Sequence, residues 1–170
     1  MLDPETDALA RTVLESARAR GWMVATAESC TGGLVAAVMT SVEGSSDVFD
    51  RGYVTYSYEA KTAMLGVPPA MLEAHGAVSE EVARAMAAGA LEAAGVGLVV
   101  AITGVAGPGA SEAKPEGRVW FATAVPGTVE AHRRDFGPIG RDRVRARSVT
   151  TALELLLAAL RKDAQAEGRP

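Results

Sequence analysis

Residues 22–39, Trp-Met-Val-Ala-Thr-Ala-Glu-Ser-Cys-Thr-Gly-Gly-Leu-Val-Ala-Ala-Val-Met, decide the fold. Trp22 to Ala27 is short, apolar and bounded, the pattern of a buried strand, and Leu34 to Met39 reads as the helix that follows. Between them, Ala27-Glu28-Ser29-Cys30-Thr31-Gly32-Gly33 puts a hydroxyl just ahead of a helix start, with two glycines that permit close backbone approach. A strand, a tight loop and a helix open an α/β unit, and ligands gather at the carboxyl ends of such strands. Free N–H groups at that point bind an anion or a developing oxyanion. A serine or threonine before a helix also serves simply as an N-cap, so the spacing alone leaves both roles open.

Working outward, Asp3-Pro4-Glu5 combines an N-cap, a proline at the first helical position and an acid in the first turn. Leu9, Val13, Leu14 and Ala17 carry that helix to Gly21. Downstream, Gly44-Ser45-Ser46 is a turn, Val48 to Tyr56 a strand and Glu59 to Leu65 a helix closed by Gly66 and Pro68-Pro69. Ser79 caps an alanine-rich helix to about Ala94, with Glu80 and Glu81 at the positive end of its dipole. Leu98 to Thr103 is a second buried strand, feeding Gly104-Val105-Ala106-Gly107-Pro108-Gly109. Gly117 to Val125 and Val129 to Phe136 form a hairpin around Pro126-Gly127, and Arg141 to about Lys162 is a long amphipathic helix. The order predicts one three-layer α/β domain over 1–165, with a mixed, mainly parallel sheet flanked by helices, a C-terminal hairpin and a long helix. Residues 166–170 are expected to be a frayed tail.

The 170 residues carry a net charge of −4, which argues against a nucleic-acid-coating surface. One cysteine excludes an intrachain disulfide framework, and two histidines leave little room for a histidine-rich metal centre. The uncharged stretch Ala93 to Ser111 approaches membrane-spanning length, but its five glycines and Pro108 make it a strand and loop instead. The N-terminus lacks the basic-then-apolar order of a signal peptide. A cytoplasmic protein without membrane or nucleic-acid partners is expected.

A serine nucleophile needs a base, and the supply is short. His75 falls at a helix end, and His132 lies beside Arg133 and Arg134 on an outer strand. The remaining source is a lysine whose pKa burial has lowered. Lys162 is near a chain end and Lys114 in a polar loop suited to anion contact; Lys61 follows the strand carrying Tyr53 and Tyr56. Cys30 is a rival nucleophile if a helix N-terminus stabilises its thiolate, and otherwise an inert buried thiol. The Thr103–Gly109 loop matches neither a Walker loop nor the dinucleotide fingerprint, though its glycines suit close phosphate or ring contact. Arg141 and Arg145 share one face of the last helix, Arg143 and Arg147 another; an inward-facing pair would suit a phosphate.

Several motifs together resemble the CinA C-terminal domain family, whose enzymatically active members are nicotinamide-nucleotide amidases. They are the 27–33 loop, Gly44-Ser45-Ser46, Val54-Thr55-Tyr56-Ser57 with Glu59-Ala60-Lys61, Leu65-Gly66-Val67 and His75-Gly76-Ala77-Val78-Ser79. Thr103-Gly104, Ala106-Gly107-Pro108-Gly109, Lys114-Pro115, Gly117 and Val119-Trp120 complete the series. The resemblance implies hydrolysis of nicotinamide mononucleotide to nicotinate mononucleotide and ammonia, without metal or cofactor, by a homodimer lacking the larger N-terminal domain of full-length relatives. It makes Ser29 the nucleophile, Lys61 its base and Tyr56 a catalytic neighbour, with amides of Cys30, Thr31 and Gly32 as the oxyanion site. Ser46, Thr103, Gly104, Gly107, Arg141 and Arg145 become the substrate contacts. A nucleotide-binding or regulatory domain with little turnover is the alternative. Three positions depart from the family: Tyr58 replaces asparagine, Glu116 replaces valine, and Gly140 replaces aspartate.

Overall fold

The computed structural model describes residues 3–167. In chain order the elements are α1 (Pro4–Ala19), β1 (Val24–Glu28), α2 (Leu34–Thr40), β2 (Phe49–Val54), α3 (Tyr58–Leu65) and α4 (Pro69–His75). There follow α5 (Glu80–Ala94), β3 (Leu98–Gly104), β4 (Arg118–Val125), β5 (Thr128–Asp135) and α6 (Arg141–Glu167). The sheet order is β2-β1-β3-β4-β5; β2, β1 and β3 pair in parallel, while β4 runs antiparallel to both β3 and β5. Four of the five strands therefore share one direction, and only β4 opposes them.

Alternation along β3 builds two cores. Leu98, Val100 and Ile102 pack against α1, α2 and α6, while Val99 and Ala101 face α3, α4 and α5. The second face is lined by Ala25, Ala27, Ala101, Ala122 and Ala124, small enough for the alanine-rich α5 to lie close. α5 also meets α3 closely: a Cβ on Gly89 would fall 1.8 Å from the Leu65 carbonyl oxygen, so only glycine fits there.

The expected layers and hairpin are present, with element ends that differ by a residue or more; β2, expected over Val48 to Tyr56, spans Phe49–Val54. β1 begins two residues later than the apolar run and includes Glu28. Pro69 does not merely close α3; it starts the separate helix α4 at its first position, where a missing N–H costs nothing. α6 continues to Glu167, because Asp163-Ala164-Gln165-Ala166-Glu167 contains no breaker before Gly168. Of the expected tail, residues 168–170 lie outside the described residues. Among the described residues, no helix is long and apolar enough to cross a membrane.

Candidate active site

The carboxyl ends of β1 and β3 lie side by side in the middle of the sheet. From β1 the chain crosses to β2 on one side and later returns as β3 on the other, so a crevice opens between them. Ser29 follows β1 directly and is pinned to β3, its N–H donating to the Ile102 carbonyl at 2.9 Å. Thr55, just beyond β2, donates its N–H to the Glu28 carbonyl at 2.8 Å. Ser57 then caps α3 through Ala60 N–H, which sets Lys61 in the first turn facing the sheet.

These constraints bring together two residues 32 positions apart. Lys61 Nζ lies 3.0 Å from Ser29 Oγ and donates to the Thr55 carbonyl at 2.7 Å. Lys61 is fully buried and Ser29 8% exposed, so the amine sits behind the hydroxyl and meets the cleft only through it. Burial brings the Lys61 ammonium down to about 8, against partial opposition from the charges of Cys30 and Glu112. An amine so placed is able to release its proton and to take one from the serine hydroxyl. Burial, reinforced by the charge of Glu28, pushes the Cys30 thiol up to about 12, so this cysteine remains a thiol at neutral pH despite lining the cleft.

Glu28 is the residue that sequence reasoning missed. It is fully buried, and its carboxylate accepts the N–H groups of Gly33, Val35 and Ala36 as well as the Thr26 hydroxyl. It therefore caps α2 from the preceding strand, a role Gly33 cannot fill. An acid at the end of an otherwise apolar strand was the available signal. Gly32 N–H is also committed, to the Ser29 carbonyl at 3.0 Å. Of the three amides expected to hold an oxyanion, those of Cys30 and Thr31 donate to no protein oxygen among the described residues. Glu28→Ala would strip four donors, two of them buried and two part-buried, of their acceptor; we expect a loss of about 3 kcal/mol or more, read by urea unfolding.

Ser29 opens onto a cleft of about 320 Å³, walled by Cys30, Tyr56, Tyr58, the Thr103–Gly109 loop and Arg141. Thr103, Gly104 and Gly107 thus line this cleft, although the Thr103 hydroxyl is already donated to the Ala77 carbonyl. Tyr56 is 62% exposed, and its Oη accepts from Arg141 Nη2 at 3.1 Å. It orients Arg141 at the rim, whereas the Thr55 carbonyl is what orients Lys61. Arg141 also donates to the Gly107 carbonyl at 2.9 Å. Arg145 does not line this cleft; its guanidinium donates to the Thr31 carbonyl at 3.1 Å and so supports the loop that follows Ser29 from behind. Ser46 is exposed in a 3-10 turn at the opposite, amino end of β2 and does not reach the cleft within this chain. Its motif is a turn: Gly44 accepts from Arg18, and Ser45 is the buried member.

The other candidate bases lie elsewhere. His75 pairs with Glu81 at 3.5 Å, His132 is on the edge strand β5, and Lys114 donates to the His75 carbonyl. Tyr58 is half-buried against the cleft wall, its hydroxyl bonded to Glu112 and accepting Ala77 N–H at 3.2 Å. Among the described residues no three histidine, cysteine, aspartate or glutamate side chains converge as a metal-binding group.

Comparison with known proteins matches residues 6–160 to the model of the CinA C-terminal domain. A nicotinamide-nucleotide amidohydrolase PncC of Escherichia coli (strain K12) is 50% identical over 157 residues, covering 92% of this chain and 95% of that protein. A CinA-like protein of Anaeromyxobacter dehalogenans (strain 2CP-C) is 51% identical over 156 residues, 91% of this chain and 38% of the longer relative. Among solved structures, the competence/damage inducible protein CihA from Agrobacterium tumefaciens superposes with a TM-score of 0.90 at 46% identity, covering 93% of this chain and 97% of that one.

Proposed function

This chain belongs to the CinA C-terminal domain family, and from that premise we propose that it is an amidohydrolase converting nicotinamide mononucleotide to nicotinate mononucleotide and ammonia. The observation that carries the reading is the fully buried Lys61 amine 3.0 Å behind the cleft-facing Ser29 hydroxyl. Neutral Lys61 takes the Ser29 proton as Oγ attacks the carboxamide carbon. The N–H groups of Cys30 and Thr31 hold the oxyanion; a donor of this kind is worth about 10²–10³-fold in rate. The Lys61 ammonium then protonates the departing nitrogen, the C–N bond breaks, and ammonia leaves an acyl-Ser29 ester. Lys61, neutral again, takes a proton from water, whose oxygen attacks the ester. Collapse returns that proton to Ser29 and releases the nicotinate nucleotide. Arg141, held by Tyr56 and Gly107 without a carboxylate partner among the described ion pairs, supplies the phosphate contact. The aromatic rings of Tyr56 and Tyr58 line the same cleft as apolar surface for the pyridine. A homodimer and a cytoplasmic location belong to the same proposal.

The test is incubation of the purified protein with nicotinamide mononucleotide, following ammonia and the nicotinate nucleotide together. Equimolar release supports the reading; tight binding without ammonia would leave a nucleotide-binding module instead. Cys30→Ala distinguishes the two candidate nucleophiles. A protonated thiol at about 12 contributes no attack, so its removal should change kcat within about threefold.

A further inference from the structure

Glu116 joins two separate parts of the cleft wall. Its Oε2 accepts the N–H of Gly109 at 2.7 Å, in the glycine-rich loop, and its Oε1 accepts the N–H of Gly140 at 3.1 Å, immediately ahead of α6. The side chain also packs on Gly107, where a Cβ would fall 2.5 Å from the Glu116 carboxyl carbon. Arg141 closes the ring: it follows Gly140 in sequence and donates to the Gly107 carbonyl at 2.9 Å. One carboxylate therefore grips the loop at two points and the backbone next to the arginine at a third. A valine here could accept neither N–H, and among the side-chain hydrogen bonds of the described residues the one from Arg141 to Gly107 would remain to link the loop and the helix start.

We propose that Glu116 is a positioning residue that fixes, through Gly107, Gly109 and Gly140, where Arg141 presents its guanidinium to the nucleotide's phosphate. The inference rests on the reading of Arg141 as the phosphate contact. A carboxylate near an anion site also repels the anion, and that effect has the opposite sign. Here both oxygens are turned onto N–H groups and Glu116 does not line the cleft, so positioning outweighs repulsion.

The experiment is a binding cycle read by titration calorimetry and by steady-state kinetics. Nicotinamide mononucleotide and nicotinamide riboside, which lacks the phosphate, are titrated into the wild type, Glu116→Val, Glu116→Gln, Arg141→Ala and the Glu116→Val/Arg141→Ala double variant. Glu116→Val should weaken mononucleotide binding about tenfold, with the loss in KM rather than kcat, and leave riboside binding unchanged. Glu116→Gln should fall between, because its single carbonyl oxygen can serve only one of the two N–H groups well. In the Arg141→Ala background Glu116→Val should cost nothing further. Tighter or unchanged mononucleotide binding by Glu116→Val, an equal loss for the riboside, or additive losses in the double variant would each overturn the proposal. A wild type that binds the mononucleotide but releases no ammonia overturns the amidohydrolase reading alone, since the binding cycle still reports on Glu116. A wild type that binds no mononucleotide overturns both.

Discussion

Ser29→Ala is expected to lower ammonia release from nicotinamide mononucleotide by about 10⁴-fold or more, with nucleotide affinity nearly unchanged. The asymmetry follows from the geometry. Ser29 offers the cleft a single hydroxyl, while the recognition surface is spread over Tyr56, Tyr58, the 103–109 loop and Arg141. Removing the nucleophile should therefore leave binding and take away the chemical step. Cys30 will not substitute for it: the thiol is held protonated, and it is Ser29 Oγ that lies within 3.0 Å of the amine. Folding should survive as well, because Oγ caps no element and the Ser29 N–H bond to Ile102 is independent of the side chain. Single-turnover measurement of ammonia beside calorimetric affinity is the check. Loss of affinity in parallel with rate would mean that the hydroxyl serves recognition; retention of rate would remove Ser29 as nucleophile.

The layers were legible because two local signals agreed. The apolar runs at 22–27 and 98–103 have strand length and are bounded by glycine loops, while Asp3 and Ser79 each accept the capping N–H that their spacing promised. The misplaced ends have a common cause in tertiary context. Glu28 belongs to β1 although it is an acid, since α2 presents three N–H groups to neutralise it. α4 was hidden by Pro68-Pro69, a pair that reads as a stop until the first proline is recognised as the cap and the second as the opening residue.

The site divided along the same line. A shortage of bases narrows the search to Lys61 by chemistry, and the family resemblance pairs it with Ser29; their 3.0 Å approach agrees with that pairing. Residues acting at one remove were invisible, because their partners are backbone groups from other elements. Spacing assigned no role to the Thr55 carbonyl, Glu28 or Glu116, yet they hold respectively Lys61, the loop that carries Ser29 and the loop beside Arg141. Ser46 illustrates the converse: a motif in sequence that, within this chain, makes a turn far from the cleft.

Lys61→Met should reduce kcat by about 10³-fold while raising thermal stability at pH 7, a combination that misfolding cannot produce. The rate loss follows from removing the amine that lies within hydrogen-bond reach of Ser29 among the described residues. The stability gain follows from linkage. Folding brings this ammonium from its ordinary value of 10.5 to about 8, so below pH 8 both states are charged and the folded protein bears the burial penalty. That shift of 2.5 corresponds to about 3 kcal/mol, from which the unsatisfied Thr55 carbonyl in the variant subtracts a part. Between about 8 and 10.5 the unfolded chain binds a proton the folded one has released, so wild-type stability from this group rises with pH. The advantage of Lys61→Met should therefore shrink across that window and vanish above it. The same titration governs catalysis: wild-type kcat/KM should climb about tenfold per pH unit below about 8 and level off above it, as the neutral amine becomes the dominant form. A flat profile would show that no group titrating near 8 governs the reaction and would require a different base, and a variant less stable than wild type at pH 7 would show that the buried Lys61 ammonium carries no net penalty.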